Sequence, residues 1–336
     1  MAMFQHDLKR LLSYHAVSQV GYMVLGIGTG NPIGIAGGLF HMLNNAIYKS
    51  CLFLCGGAVE KKTGTSDLDK LGGLSKVMPI TFMTCLVAAL SISGVPPFNG
   101  FFSKWMIYQG VIEMGKTGNR LWIIWLVAAM FGSALTLASF MKLIHTTFLG
   151  AASSQQIGIR EGKKSPAPRS SLLSTEVSFS MWLPMVVLAG LCIIFGIFSY
   201  TVPIKNFILP AVPELYLIGK WSTRLAAFLI LVGLFVGLAI YLVGKIKIRR
   251  DITYIGGEEP DMRVSGVDFY QTISDYGLFK LMYKGAEKKV FDIYDWGKGI
   301  ISYFVRMLSF AHSGILPTYL SWAIAGIVII VFVLMS

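Results

Sequence analysis

Polar side chains interrupt a long apolar run at regular spacing. In GGLFHMLNNAIYKSCLFL, residues 37–54, His41, Asn45 and Lys49 fall at every fourth position. That spacing stacks the three on one face of an α-helix over about 12 Å of rise. A charged lysine at the centre of a membrane helix costs roughly 2.5–3.5 kcal/mol on insertion scales, so such a residue faces protein or water and is functional by default. Lys49 lies too deep in its run for its side chain to reach either interface. Lysine and histidine each take up or release a proton when a neighbouring charge changes, so the ladder is suited to proton transfer, with water bridging the gaps. A histidine satisfied by packing is the competing reading of His41 alone; Lys49 on the same face favours the relay.

A second lysine, Lys104, follows an irregular stretch. MPITFMTCLVAALSISGVPPFNGFFSKWMIYQGVIE, residues 78–113, is too long for one membrane crossing, and Gly94, Pro96, Pro97 and Gly100 interrupt its middle. Proline removes a backbone donor and clashes with the preceding turn, so a helix over 77–115 must break there. At membrane depth a break is tolerated where it is buried in protein or lines a hydrated cavity, and transporters place ion sites at such breaks. A simple proline kink is the bland alternative.

Other titratable residues are weaker candidates. Asp7, beside Lys9 and Arg10, reads as a gate or as part of an anchoring cluster, and His15 as an interfacial residue with a possible place on the path. Lys142 and His145 lie near the cytoplasmic end of their span, where snorkelling explains Lys142 as well as an exit path does. Glu113 is expected at the far interface. GIGTGNPIG, residues 26–34, has glycine spacing loosely like a phosphate-binding loop, but it joins two apolar runs and is read as a turn. Cys51, Cys55, Cys85 and Cys192 all lie in apolar stretches, and two thiols without histidine partners make no metal or cluster site. No catalytic residue, metal site or redox cofactor is expected in this chain.

These residues must be positioned by membrane helices. Of 336 residues, 54% are hydrophobic and 14% charged, against about a quarter charged in a soluble domain. Seven spans are expected, at 11–29, 35–58, 77–115, 121–148, 180–202, 222–244 and 315–335. The fold class is therefore all-α, a multi-pass transmembrane bundle with a broken helix. No signal peptide is expected, because Met1 is soon followed by the charged QHDLKR. With a cytoplasmic N-terminus, 21 of the 29 lysines and arginines fall on the inner side, so the positive-inside rule selects that orientation and an external C-terminus. The net charge of +12 is then an orientation signal in the cytoplasmic membrane, with no nucleic acid required.

Five regions follow: 1–148 with the ion-path helices, a polar cytoplasmic loop over 149–179, two helices over 180–244, a cytoplasmic-side loop and helix over 245–314, and an anchor over 315–336. In the fourth, Leu281, Val290, Tyr294, Ile301 and Phe304 recur at helical spacing with Lys284, Lys288, Lys289 and Arg306 between them. That pattern describes an amphipathic helix on the membrane surface or along partner helices.

QHDLKRLLSYHAVSQVGYM, LFHMLNNAIYKSCLFL and GVPPFNGFFSKW resemble, in order and spacing, the second half of the antiporter-like subunits shared by respiratory complex I, Mrp sodium/proton antiporters and membrane-bound hydrogenase or formate hydrogenlyase complexes. The resemblance spans about residues 3–105. It implies that Lys49 is the central relay lysine, Lys104 the lysine on the broken helix, His41 a linking histidine and Asp7 the acid in the preceding loop. Asn45 stands where many relatives have a second histidine and His15 where they often have serine, so the relay is rewired here. The family's first half, with its glutamate and lysine pair, has no counterpart in this sequence. A split subunit is therefore expected, with another membrane chain of a large complex supplying those helices against residues 11–58. The late helix and last span are similar to the lateral helix and anchor of the distal complex I subunit.

Together these features imply an ion-translocating subunit, for protons or for sodium, of a redox-driven complex I-like or membrane-bound hydrogenase-like assembly. Iron–sulfur, nickel–iron or other redox centres would belong to partner subunits. The alternatives are a subunit of an Mrp-type sodium/proton antiporter without a redox arm, and a non-conducting scaffold.

Overall fold

The computed structural model describes residues 1–150, 176–212, 223–243, 284–285, 288, 290, 292–311 and 316–335. Most of the loop expected over 149–179, the stretch 245–283, Leu281 and Lys289 lie outside the described residues. Helices dominate and no strand occurs among the described residues; an isolated bridge joins Asp7 and Asp67. The helices are α1 (Leu8–Gly28), α2 (Pro32–Thr63), α3 (Pro79–Ser93), α4 (Asn99–Lys116), α5 (Trp122–Ile144), α6 (Phe179–Ile197), α7 (Thr223–Val243), α8 (Ile293–Ala311) and α9 (Leu316–Met335). Among them, α5 with its continuation to Leu149, and α6, are by length and hydropathy able to cross a membrane.

The chain divides into two compact units. Ala2–Thr272 forms one; Ile273–Ser336 with Met1 forms the other. In the second, α8 carries Asp295, Lys298, Ser302, Arg306 and Ser309 along one stripe, while Trp296, Ile300, Tyr303 and Phe304 stand exposed on the other side. The expected amphipathic helix is thus present from Ile293, with Lys288 and Val290 in turns ahead of it.

In the larger unit, capping residues fix where helices start. Asp7 caps α1, its carboxylate accepting the Arg10 amide at 2.9 Å. Asn31 does the same for α2 through the Gly34 amide at 2.9 Å, with Pro32 in the first helical position, and its own amide donates to the Gly110 carbonyl of α4 at 2.7 Å. The glycine-rich stretch 26–34 is therefore a helix-to-helix turn. At the other end of α2, Gly64 adopts φ of 75° and closes the helix after Lys61 and Lys62.

The two larger of three apolar clusters join most of these helices. Leu8, Leu11 and Leu12 of α1 pack with Tyr48, Leu52 and Cys55 of α2, Ala88 and Ile92 of α3, Phe140 and Leu143 of α5 and Met185 of α6. Phe40 of α2 packs with Phe102 and Met106 of α4 and with Ile204. The four cysteines are buried and free. Cys51 and Cys55 both lie against Thr84, at 3.7 Å from its carbonyl and 3.5 Å from its hydroxyl respectively.

Between α3 and α4 the helix is cut. Gly94 takes φ of 80° and ends α3, Pro96 and Pro97 occupy the connection, and α4 restarts at Asn99. The two half-helices touch closely, because a Cβ on Gly100 would overlap the Ser91 carbonyl oxygen. Gly100→Ala is expected to lower the thermal midpoint of the solubilised complex, at a cost of about 1–3 kcal/mol for forcing the two backbones apart. Gly57→Ala, with open space around its position, should leave the midpoint unchanged or raise it, by up to about 1 kcal/mol of helix propensity.

Candidate ion-path site

The core behind the cut is polar. Lys104 is 2% exposed, and its ammonium donates to the Ile92 carbonyl at 2.9 Å and the Ser93 carbonyl at 3.4 Å. These carbonyls end α3, where the break has removed their helical amides. The ammonium also lies 4.9 Å from the centre of the Tyr22 ring, a position that favours a cation. Lys49 is 7% exposed and donates to the Leu12 carbonyl of α1, with the Phe53 ring 5.6 Å away. The described ion pairs, His6–Asp69, Lys9–Glu60, Lys70–Asp67 and Lys116–Glu113, all involve other groups. Lys104 and Lys49 therefore both rest on main-chain oxygens.

His41 links the helices that hold them. Its Nδ1 lies 2.9 Å from Ser103 Oγ, next to Lys104 in sequence, and its Nε2 lies 3.0 Å from Gln19 Oε1 on α1. Tyr48 OH approaches both Gln19 Oε1 and His41 Nε2 at 3.4 Å. Gln19 Oε1 is an acceptor, so Nε2–H donates to it. Ser103 can turn its hydroxyl hydrogen to the Gly100 carbonyl at 3.2 Å and then accept from Nδ1–H. The ring can thus hold a proton on Nε2 or on both nitrogens without moving, and with Nδ1 alone protonated Tyr48 OH is the donor that faces Nε2.

Asn45, expected on the His41–Lys49 face, is half-buried and its Oδ1 has no partner. The neighbouring Asn44 is the buried one. It donates to the Asn99 carbonyl and accepts from the Asn99 amide, both at 3.0 Å, and Ser91 Oγ donates to Asn99 Oδ1. Asn44 therefore ties α2 to the cut.

His15 is buried between α1 and α5: Ser139 meets its Nε2 at 2.6 Å and the Phe140 ring centre lies 4.8 Å away, while its Nδ1 has no partner. Lys142, one turn beyond Ser139, is 3% exposed and donates to the Met3 carbonyl at 2.9 Å and the Gln5 carbonyl at 3.4 Å. It is held inward by these oxygens instead of snorkelling. His145 is exposed.

Asp7 sits apart from this core. Besides capping α1 it accepts from Ser66 Oγ, and its backbone bridges Asp67, so it fastens the 64–71 loop to the start of α1. In that loop the Lys70 ammonium, 2.9 Å from Asp67, holds the Asp67 carboxyl below the usual carboxylate range, and the Asp69 amide adds to the effect. Glu113 pairs with Lys116 at 2.8 Å.

Gln19, Asn44, Tyr48 and Ser103 were not singled out from the sequence. Gln19 lies on the buried stripe Leu8, Leu12, His15, Gln19, Tyr22 of α1, and a glutamine on an otherwise apolar helical stripe is a signal that could have found it. No group of three or more His, Cys, Asp or Glu side chains able to hold a metal occurs among the described residues.

Residues 1–141, which contain every one of these groups on α1 to α4, match the transmembrane family described as NADH:quinone oxidoreductase/Mrp antiporter. This segment is similar to the members of that family. An NADH-quinone oxidoreductase subunit of Desulforudis audaxviator is 36% identical over 213 residues, 63% of this chain and 40% of that protein. An Na(+)/H(+) antiporter subunit of Alkalihalophilus pseudofirmus is 36% identical over 223 residues, 64% of this chain and 40% of its own length. These curated antiporter-family relatives are thus matched over about two fifths of their own length. A chain in the structure of the archaeal membrane-bound sulfane sulfur reductase, a respiratory membrane complex, aligns with 99% of this chain and 53% of its own at a TM-score of 0.64; at 24% identity the likeness is one of fold. The family matched by residues 1–141 is a transmembrane one.

The Asn44–Asn99 pair gives a test of the local geometry. Asn44→Ala leaves buried polar groups of Asn99 without partners, a loss of about 1–3 kcal/mol, and should lower the thermal midpoint of the complex. Asn45→Ala removes no described hydrogen bond and should lower it less.

Proposed function

We propose that this chain is an ion-translocating subunit, carrying protons in the first instance, of a redox-driven membrane assembly of the complex I-like or membrane-bound hydrogenase-like kind. One observation carries the reading: two lysines are buried on main-chain carbonyls, and His41 touches Ser103, beside Lys104, on one side and Gln19, on the helix whose Leu12 carbonyl holds Lys49, on the other. A lysine in either protonation state still donates to a carbonyl, so each can lose its charge without losing its contact.

In this mechanism Lys104, at the cut, exchanges protons with one aqueous side. A proton reaching His41 on Nδ1 is matched by release of one from Nε2, leaving the ring neutral, and Lys49 receives it. His15 Nδ1, Gln19 Nε2 and Asn45 Oδ1 are buried atoms without protein partners, and such groups are ordinarily satisfied by internal water. Water at these atoms would span the gaps between His41 and Lys49. His15, Ser139 and Lys142 form a branch towards the N-terminal turn and the cytoplasmic side. Asp7 acts on this path from its rim, by holding the start of α1.

The chain is placed with its N-terminus in the cytoplasm and its C-terminus outside, as a multi-pass bundle in the cytoplasmic membrane. Redox centres reside in partner subunits of the membrane assembly. The similarity to a sodium/proton antiporter subunit favours a second reading, a subunit of an antiporter without a redox arm.

Inverted membrane vesicles holding the assembled complex decide among these. With Lys49→Ala at matched assembly, the rate of pH-gradient formation should fall about a hundredfold, the scale of losing a positioned proton-transfer group. Unchanged pumping would make the chain a scaffold. A gradient driven by sodium and indifferent to electron donors would select the antiporter reading.

A further inference from the structure

The half-helix α3 is charged at both ends by residues from elsewhere in the chain. Its first turn holds no acidic residue and Met78 ahead of it offers no side-chain cap. The Glu176 carboxylate, just before α6, takes that place. Oε2 accepts the Ile80 amide at 2.9 Å and the Thr81 amide at 3.2 Å, and Oε1 accepts the Thr81 hydroxyl at 2.7 Å and the Val177 amide at 3.1 Å. About 22 Å along the axis, the Lys104 ammonium sits on the Ile92 and Ser93 carbonyls. An anion on the amino end and a cation on the carboxyl end both align with the helix dipole.

The flanks of α3 are packed: Thr84, Cys85, Ala88, Ala89, Ser91 and Ile92 are buried, and Phe82, Leu86 and Val87 lie half-buried against the neighbouring apolar cluster. Its two ends add polar contacts directed along its axis. At the cut these are the Ser91–Asn99 bond and the Lys104 contacts; at the other end they are those of Glu176.

We propose that Glu176 is a positioning residue for Lys104, seated on the first amides of α3 so that the last carbonyls of that half-helix stay on the lysine. Its consequence for transport rests on the relay reading above. The segment that leads into α6 is thereby linked to the cut through one rigid half-helix.

Four variants in the assembled complex test this: Glu176→Gln, Glu176→Asp, Lys104→Met and the double variant Glu176→Gln/Lys104→Met. At matched assembly Glu176→Gln should slow pH-gradient formation about fivefold, the upper range of a charge at a helix end, and Glu176→Asp, which keeps the charge, should recover most of that loss. The fall in thermal midpoint caused by Glu176→Gln should be smaller when Lys104 is already methionine. Wild-type pumping by Glu176→Gln, or equal midpoint losses in both backgrounds, would overturn the proposal. If Glu176→Gln fails to assemble, Thr81→Val, which removes only the hydroxyl contact, enters the same cycle with the same two outcomes. Normal pumping by Lys104→Met would instead overturn the relay, while the midpoint cycle still decides the positioning role.

Discussion

A helix cut inside a bundle leaves main-chain carbonyls without their amides, and in this protein a lysine takes them. The α3–α4 cut exists because Gly94 accepts a left-handed backbone and the two prolines that follow cannot continue a helix. Lys104 reaches back from the first turns of α4 to the Ile92 and Ser93 carbonyls. Asn99 and Asn44 secure the same region from α2. Without these contacts the cut would bury unpaired polar groups, each costing on the order of a lost hydrogen bond or more. The cut, the lysine and the asparagine pair therefore stand or fall together, and His41 is fixed because Ser103 rides on the same turn as Lys104.

Main-chain carbonyls have a property that carboxylates lack as partners for a buried lysine. A carboxylate would hold the ammonium in an ion pair and penalise its neutral form. A carbonyl accepts from an ammonium and from a neutral amine alike. The Leu12 carbonyl under Lys49 and the two carbonyls under Lys104 thus place each nitrogen without fixing its charge. The ion pairs of the larger unit, such as Lys9–Glu60 and Lys70–Asp67, lie on exposed side chains, where opposite charges stabilise loops modestly. Pairing is used at the rim and withheld in the core.

How much of this was legible in the sequence depended on whether a feature is local. Helix periods, the proline-bearing interruption and the depth of Lys49 and Lys104 follow from neighbours along the chain. The choice between Asn44 and Asn45 does not: one residue rotates a helical side chain by about 100°, and which of two adjacent asparagines faces the cut is set by how α2 lies against α4. Gln19, Ser103 and Tyr48 acquire meaning only when three helices bring them to His41. Lys142 is close enough to its helix end to snorkel, and only the approach of the Met3 and Gln5 carbonyls keeps it inside. Asp7, read from its charged neighbours as a gate or as part of an anchoring cluster, spends its carboxylate on a helix cap and on Ser66. Glu176 gave no signal at all, since its partners lie 95 and 96 residues away.

The energetic balance argues against a purely structural role for the core. A buried ion costs several kcal/mol of desolvation, and without an opposite charge that cost is not returned. At position 104 an apolar side chain would leave the Ile92 and Ser93 carbonyls without their donor, so that position needs a polar group, but a neutral donor would serve it without a buried charge. Asparagine and serine do this for neighbouring groups of the cut, as Asn44, Asn99 and Ser91 show. A purely structural core has that less costly solution open to it, and lysine is the costlier choice. Moving a cation requires sites whose charge can come and go while their geometry stays, and lysines held on main-chain carbonyls meet that requirement of the proposed relay.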